Sequence, residues 1–458
     1  MEQLEEIIKI ISELLEEKKY HNLKEVLSTM EAADVAILFD ELPKKNIALL
    51  FRLLAKEQAA EVFVELSSDM QESLIVGFSD FELKEVLDEL YLDDTVDIIE
   101  EMPANVVKRI LRHQDPETRQ NINELLKYPK DSAGSIMTIE FVDLEKTMTV
   151  EDAFTRIRRT GIDKETIYTC YVTDENRVLE GLVSVKDLLL ADYSETIQDI
   201  MEQNIIYVNT LDDQEEAAKT FEKYDFLALP VVDNERRLVG IITVDDAIDV
   251  IQEENTEDIE KMVAITPTDK PYMKIGVFET YKNRIPWLLL LMISATFTER
   301  IITSFENALA SCVVLTAFIP MLMGTAGNSG GQSSATIIRS MSLGDVEIKD
   351  IFKVIWKELR VALISGLTLA LVNFAKMMLL DRTSMLTSGL NPISVAFVVS
   401  FSLALTVIIA KFIGCSLPIL AKKVGFDPAV MASPLITTIV DAVSMVVFFN
   451  IAVTVLNI

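Results

Sequence analysis

The chain has 458 residues, with 72 acidic and 42 basic side chains and a formal net charge of −30. Residues 1–283 hold 63 of the acidic and 30 of the basic side chains, so the excess negative charge lies there. Such a surface repels a phosphate backbone, which excludes nucleic acid as a partner. Two histidines and three scattered cysteines provide no cluster for a soft metal, and no nucleophile–base pairing indicates an enzyme.

Residues 1–130 read as a series of short amphipathic helices and predict an acidic α-helical superhelix. Polar cap sequences such as DELPKK, ELSSD and EEMPAN recur between the apolar runs. Asp93 and Asp97 lie four residues apart in YLDDTVDIIEEMP, so they share one helical face. Like charges at this spacing destabilise a helix unless a cation or solvent screens them. Both residues are therefore candidate cation ligands.

Residues 131–253 contain an internal repeat, within which residues 131–243 are the predicted paired domains. VTDENRVLEGLVSVKDLLL, which starts at Val172, aligns with VVDNERRLVGIITVDDAID, which starts at Val231, at an offset of 59. Each copy predicts strand, polar turn, strand and helix. The pattern resembles a tandem CBS domain pair, an α/β module that senses ligands. That resemblance implies a site for a nucleotide such as ATP at Lys186, Asp187 and Phe226, although an unliganded structural pair remains the alternative.

Residues 244–283 predict an acidic connecting helix and a linker. In TVDDAIDVIQEENTEDIEK, Asp245, Asp246, Asp249 and Glu253 fall on one side of a helix. Two interpretations stay open, namely a cation sensor and a solvated acidic face.

Residues 284–458 predict an all-α transmembrane domain with five helices, because each apolar stretch approaches the length of a membrane span. The stretches lie near Ile285–Thr298, Ala308–Gly324, Val361–Leu380, Ile393–Ala421 and Ala429–Ile458. Basic side chains concentrate in the connections after the second and before the fifth stretch. The positive-inside rule therefore predicts a multi-pass protein of the cell membrane, with cytoplasmic N-terminal domains and the C-terminus outside.

Two features of the membrane half are candidates for an ion path. Asp441 lies mid-span and is the only carboxylate predicted deep in the membrane, which favours a functional role over a protonated structural one. The second span ends in PMLMGTAGNSGGQSSATIIRS, a poor helix interior that we expect to expose backbone carbonyls along a water-filled path. Its alternative is small-residue helix packing. Oxygen ligands including Asn328 suit Mg2+, and Thr437 lies one turn before Asp441.

The two membrane segments carry a family resemblance. Pro320–Ser340 and DPAVMASPLITTIVD at Asp427–Asp441 resemble the MgtE family of Mg2+ channels and transporters. The likeness extends over nearly the whole chain. The sequence departs from the family pattern at Ala326, Gly331 and Ser433, which bears on selectivity and gating.

The resemblance implies a homodimer in the lipid bilayer that mediates Mg2+ influx and closes when intracellular Mg2+ binds its acidic domains. The acidic connecting helix would be the plug helix, whose carboxylates repel one another until Mg2+ bridges them. Regulatory Mg2+ contacts carry over to Asp213, Glu215, Asp225, Asp246, Asp249, Glu254, Glu257 and Asp258. Two rival functions remain, namely a coupled carrier for Mg2+, Co2+ or Mn2+, and a nucleotide-sensing CBS membrane receptor without transport.

Overall fold

The structure, a computed structural model, describes residues 2–268, 272–273, 275–381, 391–431 and 433–457. The chain divides into two units, Met1–Ile251 and Gln252–Ile458. The departure at Ser433 and the predicted end of the fifth stretch at Ile458 involve side chains outside this description.

The first unit begins with a series of short helices, which confirms the predicted helical superhelix. They are α1 Glu2–Glu16, α2 Tyr20–Ser28, α3 Ala32–Glu41, α4 Lys44–Phe51, α5 Lys56–Glu65, α6 Ser68–Gly77, α7 Asp80–Leu87, α8 Leu92–Glu101, α9 Ala104–His113 and α10 Pro116–Leu125. Local caps explain several boundaries: Ser79 and Glu82 form a capping box at α7, and the Asp115 carboxylate accepts hydrogen bonds from two backbone N–H groups at α10.

The second part of this unit consists of two CBS repeats. Their elements are β1 Asp143–Glu145, α11 Val150–Thr160, β2 Thr169–Thr173, β3 Leu179–Ser184, α12 Val185–Leu190, α13 Ile197–Ile200, β4 Val208–Asn209, α14 Gln214–Tyr224, β5 Ala228–Val232 and β6 Leu238–Thr243. In each three-stranded sheet the first strand is parallel to the second, which is antiparallel to the third. The strands β2 and β5, and likewise β3 and β6, are offset by 59 residues, which confirms the repeat. The short leading strands β1 and β4 were not predicted.

One apolar core joins the N-terminal helices to the second repeat. Leu92 and Val96 of α8 belong to the same buried cluster as Ile242 of β6 and Ala247. This packing sets the acidic face of α8 beside the helix that follows β6.

That helix, α15 Val244–Met262, begins in the first unit and ends in the second. The second unit continues with α16 Val277–Ser304, α17 Glu306–Ser311, a 3-10 helix Val313–Phe318, α18 Ile319–Ser342, α19 Ile351–Leu379, α20 Pro392–Val424 and α21 Ser433–Leu456. Within the described residues, five helical segments are long and apolar enough to cross a membrane, as predicted. The short first stretch is part of a continuous helix of 28 residues.

The glycine-rich end of the second span is a regular part of α18, so the prediction of exposed backbone carbonyls was wrong. Two of its glycines, Gly327 and Gly330, serve close helix packing instead. A Cβ atom on Gly414 of α20 would collide with the carbonyl oxygen of Gly330, and one on Gly327 would lie 2.8 Å from Thr437 Cγ2 of α21. Tertiary contact with two neighbouring helices outweighs the low intrinsic helix propensity of glycine.

A second buried carboxylate lies in the membrane domain, just outside the third predicted apolar stretch, and the predicted membrane depth of Asp441 stays a prediction. Glu358 of α19 has a side chain that is 13% exposed, and it pairs with Lys411 of α20, which is 9% exposed. Burial of Glu358 was not predicted from the sequence, because the residue lies in the charged run WKELR, which resembles a cytoplasmic connection.

Candidate cation-binding sites

Three half-buried carboxylates meet beside the start of α8. Ligand oxygens of Asp93, Glu140 and Glu165 lie within 4.8 Å of one another, and we call this group the α8 carboxylate cluster. Glu140 is held in place because its Oε2 accepts a hydrogen bond from the Leu92 N–H at 3.0 Å. Carboxylate oxygens so close together suit a hard divalent cation.

The electrostatics of the α8 carboxylate cluster favour binding of either protons or a cation. Burial first, and the charge of Asp93 next, raise the pKa of Glu165 to about 9 and that of Asp246 to about 7. Burial and the charge of Asp94 raise the pKa of Asp93 to about 7. Burial and the charge of Asp246 raise the pKa of Asp97 to about 8. A metal ion that binds here must displace protons.

The structure places three predicted ligands, Asp93, Asp97 and Asp246, close enough that their charges raise the pKa values of Asp97 and Asp246. Sequence reasoning missed Glu140 and Glu165, which come from distant segments of the CBS part. Neither residue lies in a local motif, so only the folded chain shows their proximity to α8.

The predicted ligands around α14 have local structural roles. Asp213 accepts a hydrogen bond from the Glu215 N–H at 2.8 Å, and Glu215 pairs with Lys219 at 2.9 Å. Asp225 ends the helix in the left-handed conformation, with φ of 54°. Burial raises the pKa of Asp249 on α15. In the part of the chain that the structure describes, none of the four predicted ligands belongs to the α8 carboxylate cluster.

The Ser/Thr and Asp residues shared by the CBS repeats form helix caps. The Ser184 hydroxyl donates to Asp187 Oδ2 at 2.5 Å, and the Thr243 hydroxyl donates to Asp246 Oδ2 at the same distance. The repeated pattern is therefore explained by the start of α12 and of α15 without any ligand.

The other candidates for nucleotide contact lie at the surface or near it. Lys186 is exposed on α12, and Phe226 stacks on Tyr224 with ring centroids 5.5 Å apart. An aromatic pair of this kind offers a face for a base, yet nucleotide binding at these residues stays a prediction.

The C-terminal half of α15 contacts the end of α18. The Ser342 hydroxyl donates to Asp258 Oδ2 at 2.8 Å, and Arg339 donates to Asn255 Oδ1 at 2.8 Å. Partly buried Glu254 lies on the same half of the helix.

Lys261 completes this contact. Its ammonium lies 2.7 Å from a carboxylate oxygen of Glu257 and 2.7 Å from one of Asp427, which precedes the last span. Burial alone would lower the pKa of Lys261, but the two carboxylates raise it. Met262 packs against Ile338 and Ala429. We call these polar and apolar contacts of residues 255–262 the α15 latch.

Asp441 lies in the membrane domain with one oxygen unsatisfied. Its Oδ1 is buried and has no hydrogen-bond partner among the described residues. The side chain lines a cavity of about 370 Å³ together with Thr298, Glu299 and Thr438. A buried carboxylate oxygen without a partner is costly, and a bound cation would satisfy it.

A polar stripe runs along one face of α18. Gly324, Asn328, Gln332 and Thr336, spaced four residues apart, are all exposed. The predicted ligand Asn328 thus points away from the helices of its own chain. Polar groups on a membrane helix need protein or water rather than lipid, so this stripe requires either a second subunit or an aqueous path.

The fold and these sites define a multi-pass membrane protein in which acidic helical and CBS domains are joined by α15 to a five-helix membrane domain. Residues 319–451 match the MgtE divalent cation transporter domain, residues 30–131 match the MgtE intracellular N domain, and residues 133–194 and 197–253 match CBS domains.

Curated relatives match over almost the entire chain. The magnesium transporter MgtE of Thermus thermophilus is 37% identical over 446 residues, covering 96% of this chain and 97% of that protein. The magnesium transporter MgtE of Bacillus subtilis is 33% identical, covering 98% of this chain and 97% of that protein. The chain therefore belongs to the MgtE family of magnesium transporters.

Two solved structures resemble the cytosolic part. The cytosolic domain of the Mg2+ channel MgtE in complex with ATP aligns with a TM-score of 0.50 and 40% identity, covering 52% of this chain and 98% of that one. The soluble part of a magnesium transporter aligns with a TM-score of 0.51 and 32% identity, covering 55% and 99%. Both support the observed superhelix and CBS pair.

Proposed function

We propose that this protein is a Mg2+ channel that admits Mg2+ to the cell and closes when intracellular Mg2+ is plentiful. The observation that carries the proposal is the buried, unpartnered Oδ1 of Asp441 beside a cavity in the membrane domain. An intramembrane carboxylate is expensive and marks an ion path. At a membrane potential of 100 mV, a divalent cation gains about 4.6 kcal/mol on entry, so no ATPase is needed.

The pore forms between two copies of the chain. The exposed polar stripe on α18 needs a polar neighbour, and a second copy related by a two-fold axis, the commonest symmetry of soluble homo-oligomers, would supply it. Two Asp441 side chains, with Thr437 and Asn328 nearby, would then hold a cation that retains most of its water. The basic ends of α18 and α20 lie in the cytoplasm by the positive-inside rule, which places the C-terminus outside.

Gating rests on carboxylates that Mg2+ bridges in the closed state. Asp93 of the α8 carboxylate cluster lies near Asp246 at the start of α15, and the α15 latch engages the end of α18. Mg2+ bound to the cluster would stabilise the arrangement in which the latch is closed. A ligand shifts such an equilibrium only by its differential affinity for the two states.

A regulatory nucleotide is a second proposal. A solved relative of the cytosolic part is a complex with ATP, and the candidates in this chain are Lys186, Asp187 and Phe226. ATP would then change the Mg2+ concentration at which the channel closes. Measuring Mg2+ inhibition with and without ATP in the parent and in Phe226→Ala tests this, and equal shifts in both proteins would contradict the assignment.

Mg2+ uptake into liposomes that hold the full-length protein tests the main proposal. We expect uptake by the parent and its loss in Asp441→Asn, which keeps the shape of the side chain and removes its charge. The matched control is Asp345→Asn, which removes an exposed carboxylate outside the spans. Normal uptake by Asp441→Asn would contradict the pore site. Absence of uptake by the parent would favour the receptor, and absence of single-channel currents despite uptake would favour a carrier.

A further inference from the structure

Three polar side chains from three different spans meet inside the membrane domain. Ser333 of α18 donates a hydrogen bond from its hydroxyl to Glu358 Oε2 of α19 at 2.6 Å. Lys411 of α20 donates to the Ser333 hydroxyl at 3.1 Å, and its ammonium lies 3.6 Å from Glu358 Oε2. Ser333 itself is 2% exposed, so water does not solvate the group from that side.

This triad lies close to the part of α18 that contacts the Asp441 helix. A Cβ on Gly330, one turn before Ser333, would contact Ile436 and Val440 of α21 and the carbonyl oxygen of Ala410. Ala410 and Val440 are the residues immediately before Lys411 and Asp441, and both belong to one buried apolar cluster. Lys411 therefore follows a residue of α20 that packs against α18, at the place where α18 also contacts the helix that carries Asp441.

Folding does not explain why the charges are present. A buried ion pair is often no more stable than apolar residues of similar volume, because desolvation offsets the attraction between the charges. In a membrane the cost is higher still, and charged residues that persist there usually serve the transported ion. A lone ammonium at this position would repel a divalent cation, and screening by water is weak.

We propose that Glu358 is a positioning and charge-balancing residue for Mg2+ permeation. Together with Ser333 it holds the Lys411 side chain in place, and its carboxylate cancels the charge of the ammonium beside the pore helix. This inference rests on the proposed channel function. The proposal predicts that the effect on Mg2+ uptake depends on which charge is removed. Loss of the negative partner impairs cation passage, whereas loss of the positive partner does not.

The test compares Mg2+ uptake per folded protein in liposomes for the parent, Glu358→Gln, Lys411→Met and the double variant. Glu358→Gln preserves volume and an acceptor for Ser333 but leaves the ammonium uncompensated, so uptake should fall by about tenfold or more. Lys411→Met should retain at least the parent's uptake at low Mg2+. The double variant, which has no net charge here, should recover uptake to within roughly threefold of the parent.

If the Glu358–Lys411 pair only stabilises the packing of α19 against α20, a different pattern is expected, because each single substitution breaks the same contact. Equal losses in both single variants, without recovery in the double variant, would overturn the proposal, and so would parent-like uptake in Glu358→Gln. If Glu358→Gln cannot be recovered in folded form, Lys411→Met distinguishes the two accounts. A purely stabilising ion pair predicts impaired uptake in that variant, whereas the charge-balance proposal predicts uptake at least equal to that of the parent.

A neutral control separates charge from packing. Asn373 and Ser400 form a buried hydrogen bond of 3.1 Å between the same two helices, α19 and α20. Asn373→Leu should keep uptake close to that of the parent, and a loss equal to that of Glu358→Gln would overturn the electrostatic account. Absence of Mg2+ uptake in the parent is a separate result that defeats the proposed function, and this inference with it.

Discussion

Lys261 near the end of α15 lies 2.7 Å from Asp427, the residue just before the last membrane span, and equally close to Glu257. The ammonium thus keeps two carboxylates together at the α15 latch. Removing it leaves the carboxylates to repel each other, which destabilises the latched arrangement.

We predict that Lys261→Met raises the cytoplasmic Mg2+ concentration needed for half-inhibition by roughly 5- to 20-fold, the usual size of an allosteric coupling. Current in excised patches measures this directly. Lys349→Met is the matched control, because Lys349 pairs with Glu347 at 2.7 Å on an exposed surface. Equal inhibition curves for Lys261→Met and the parent would show that the latch does not couple to the pore.

Close packing at Gly414 leads to a prediction about stability. A methyl group there would collide with the Gly330 carbonyl oxygen, and backbone cannot move aside as a flexible side chain can. Gly414→Ala should therefore destabilise the membrane domain by about 1–3 kcal/mol, the usual cost of overpacking. Thermal unfolding in detergent measures the change. Gly324→Ala is the control, since a Cβ there meets nothing within 4 Å, and a similar fall in melting temperature for both variants would contradict the packing argument.

The raised pKa values at the α8 carboxylate cluster and its neighbours predict a pH dependence in Mg2+-free protein. The groups concerned are Asp93, Asp94, Asp97, Glu165 and Asp246. Their folded pKa values of about 7 to 9 exceed the unperturbed values of 3.8 and 4.5, so the folded state binds more protons than the unfolded state in between. Stability of the first unit must therefore fall as pH rises from about 4 to 9.

Limited proteolysis of the full-length protein in EDTA measures this, and cleavage within residues 1–251 should accelerate between pH 6 and 9. Millimolar Mg2+ should suppress the acceleration, because the cation replaces the lost protons. Glu165→Gln removes the group with the highest of these pKa values and should flatten the profile. Cleavage rates independent of both pH and Mg2+ would indicate only a solvated acidic face.

Neutralising the acidic residues of α15 should weaken closure by Mg2+ and leave Mg2+ permeation through the open channel unchanged. The variant replaces four predicted Mg2+ contacts by Ala, namely Asp246, Asp249, Glu254 and Glu257. Because fewer cations can then bridge carboxylates and stabilise the closed state, the channel should stay open at internal Mg2+ concentrations that close the parent. Excised-patch current during a rise in Mg2+ gives the measurement.

The control for this variant neutralises the same number of exposed acids elsewhere in the first unit. It replaces Glu117, Glu151, Glu175 and Glu222 by Ala. It should close as the parent does, because the net charge changes equally while the connecting helix is intact. Closure of the α15 variant at the parent's Mg2+ concentration would contradict the gating mechanism.

Much of the fold was readable from local pattern. Hydropathy and length predicted the five spans, and recurrent caps predicted the short helices, since these signals depend on neighbours in sequence. The offset of 59 predicted the repeat, because two aligned segments can be compared without knowing the fold. The brief strands β1 and β4 escaped because two or three residues carry too little pattern.

The sequence alone determined the class of protein: an acidic sensor region, a repeat, and apolar spans with a mid-membrane Asp441. Only the tertiary structure decided which charges meet. Glu140 and Glu165 join Asp93, and Lys411 joins Glu358 and Ser333, through segments separated by tens of residues. Likewise, the glycines of α18 look unfavourable for a helix in isolation but become favourable once α20 and α21 pack against them. Propensity acts along the chain, whereas burial and Coulomb energy depend on distances in space.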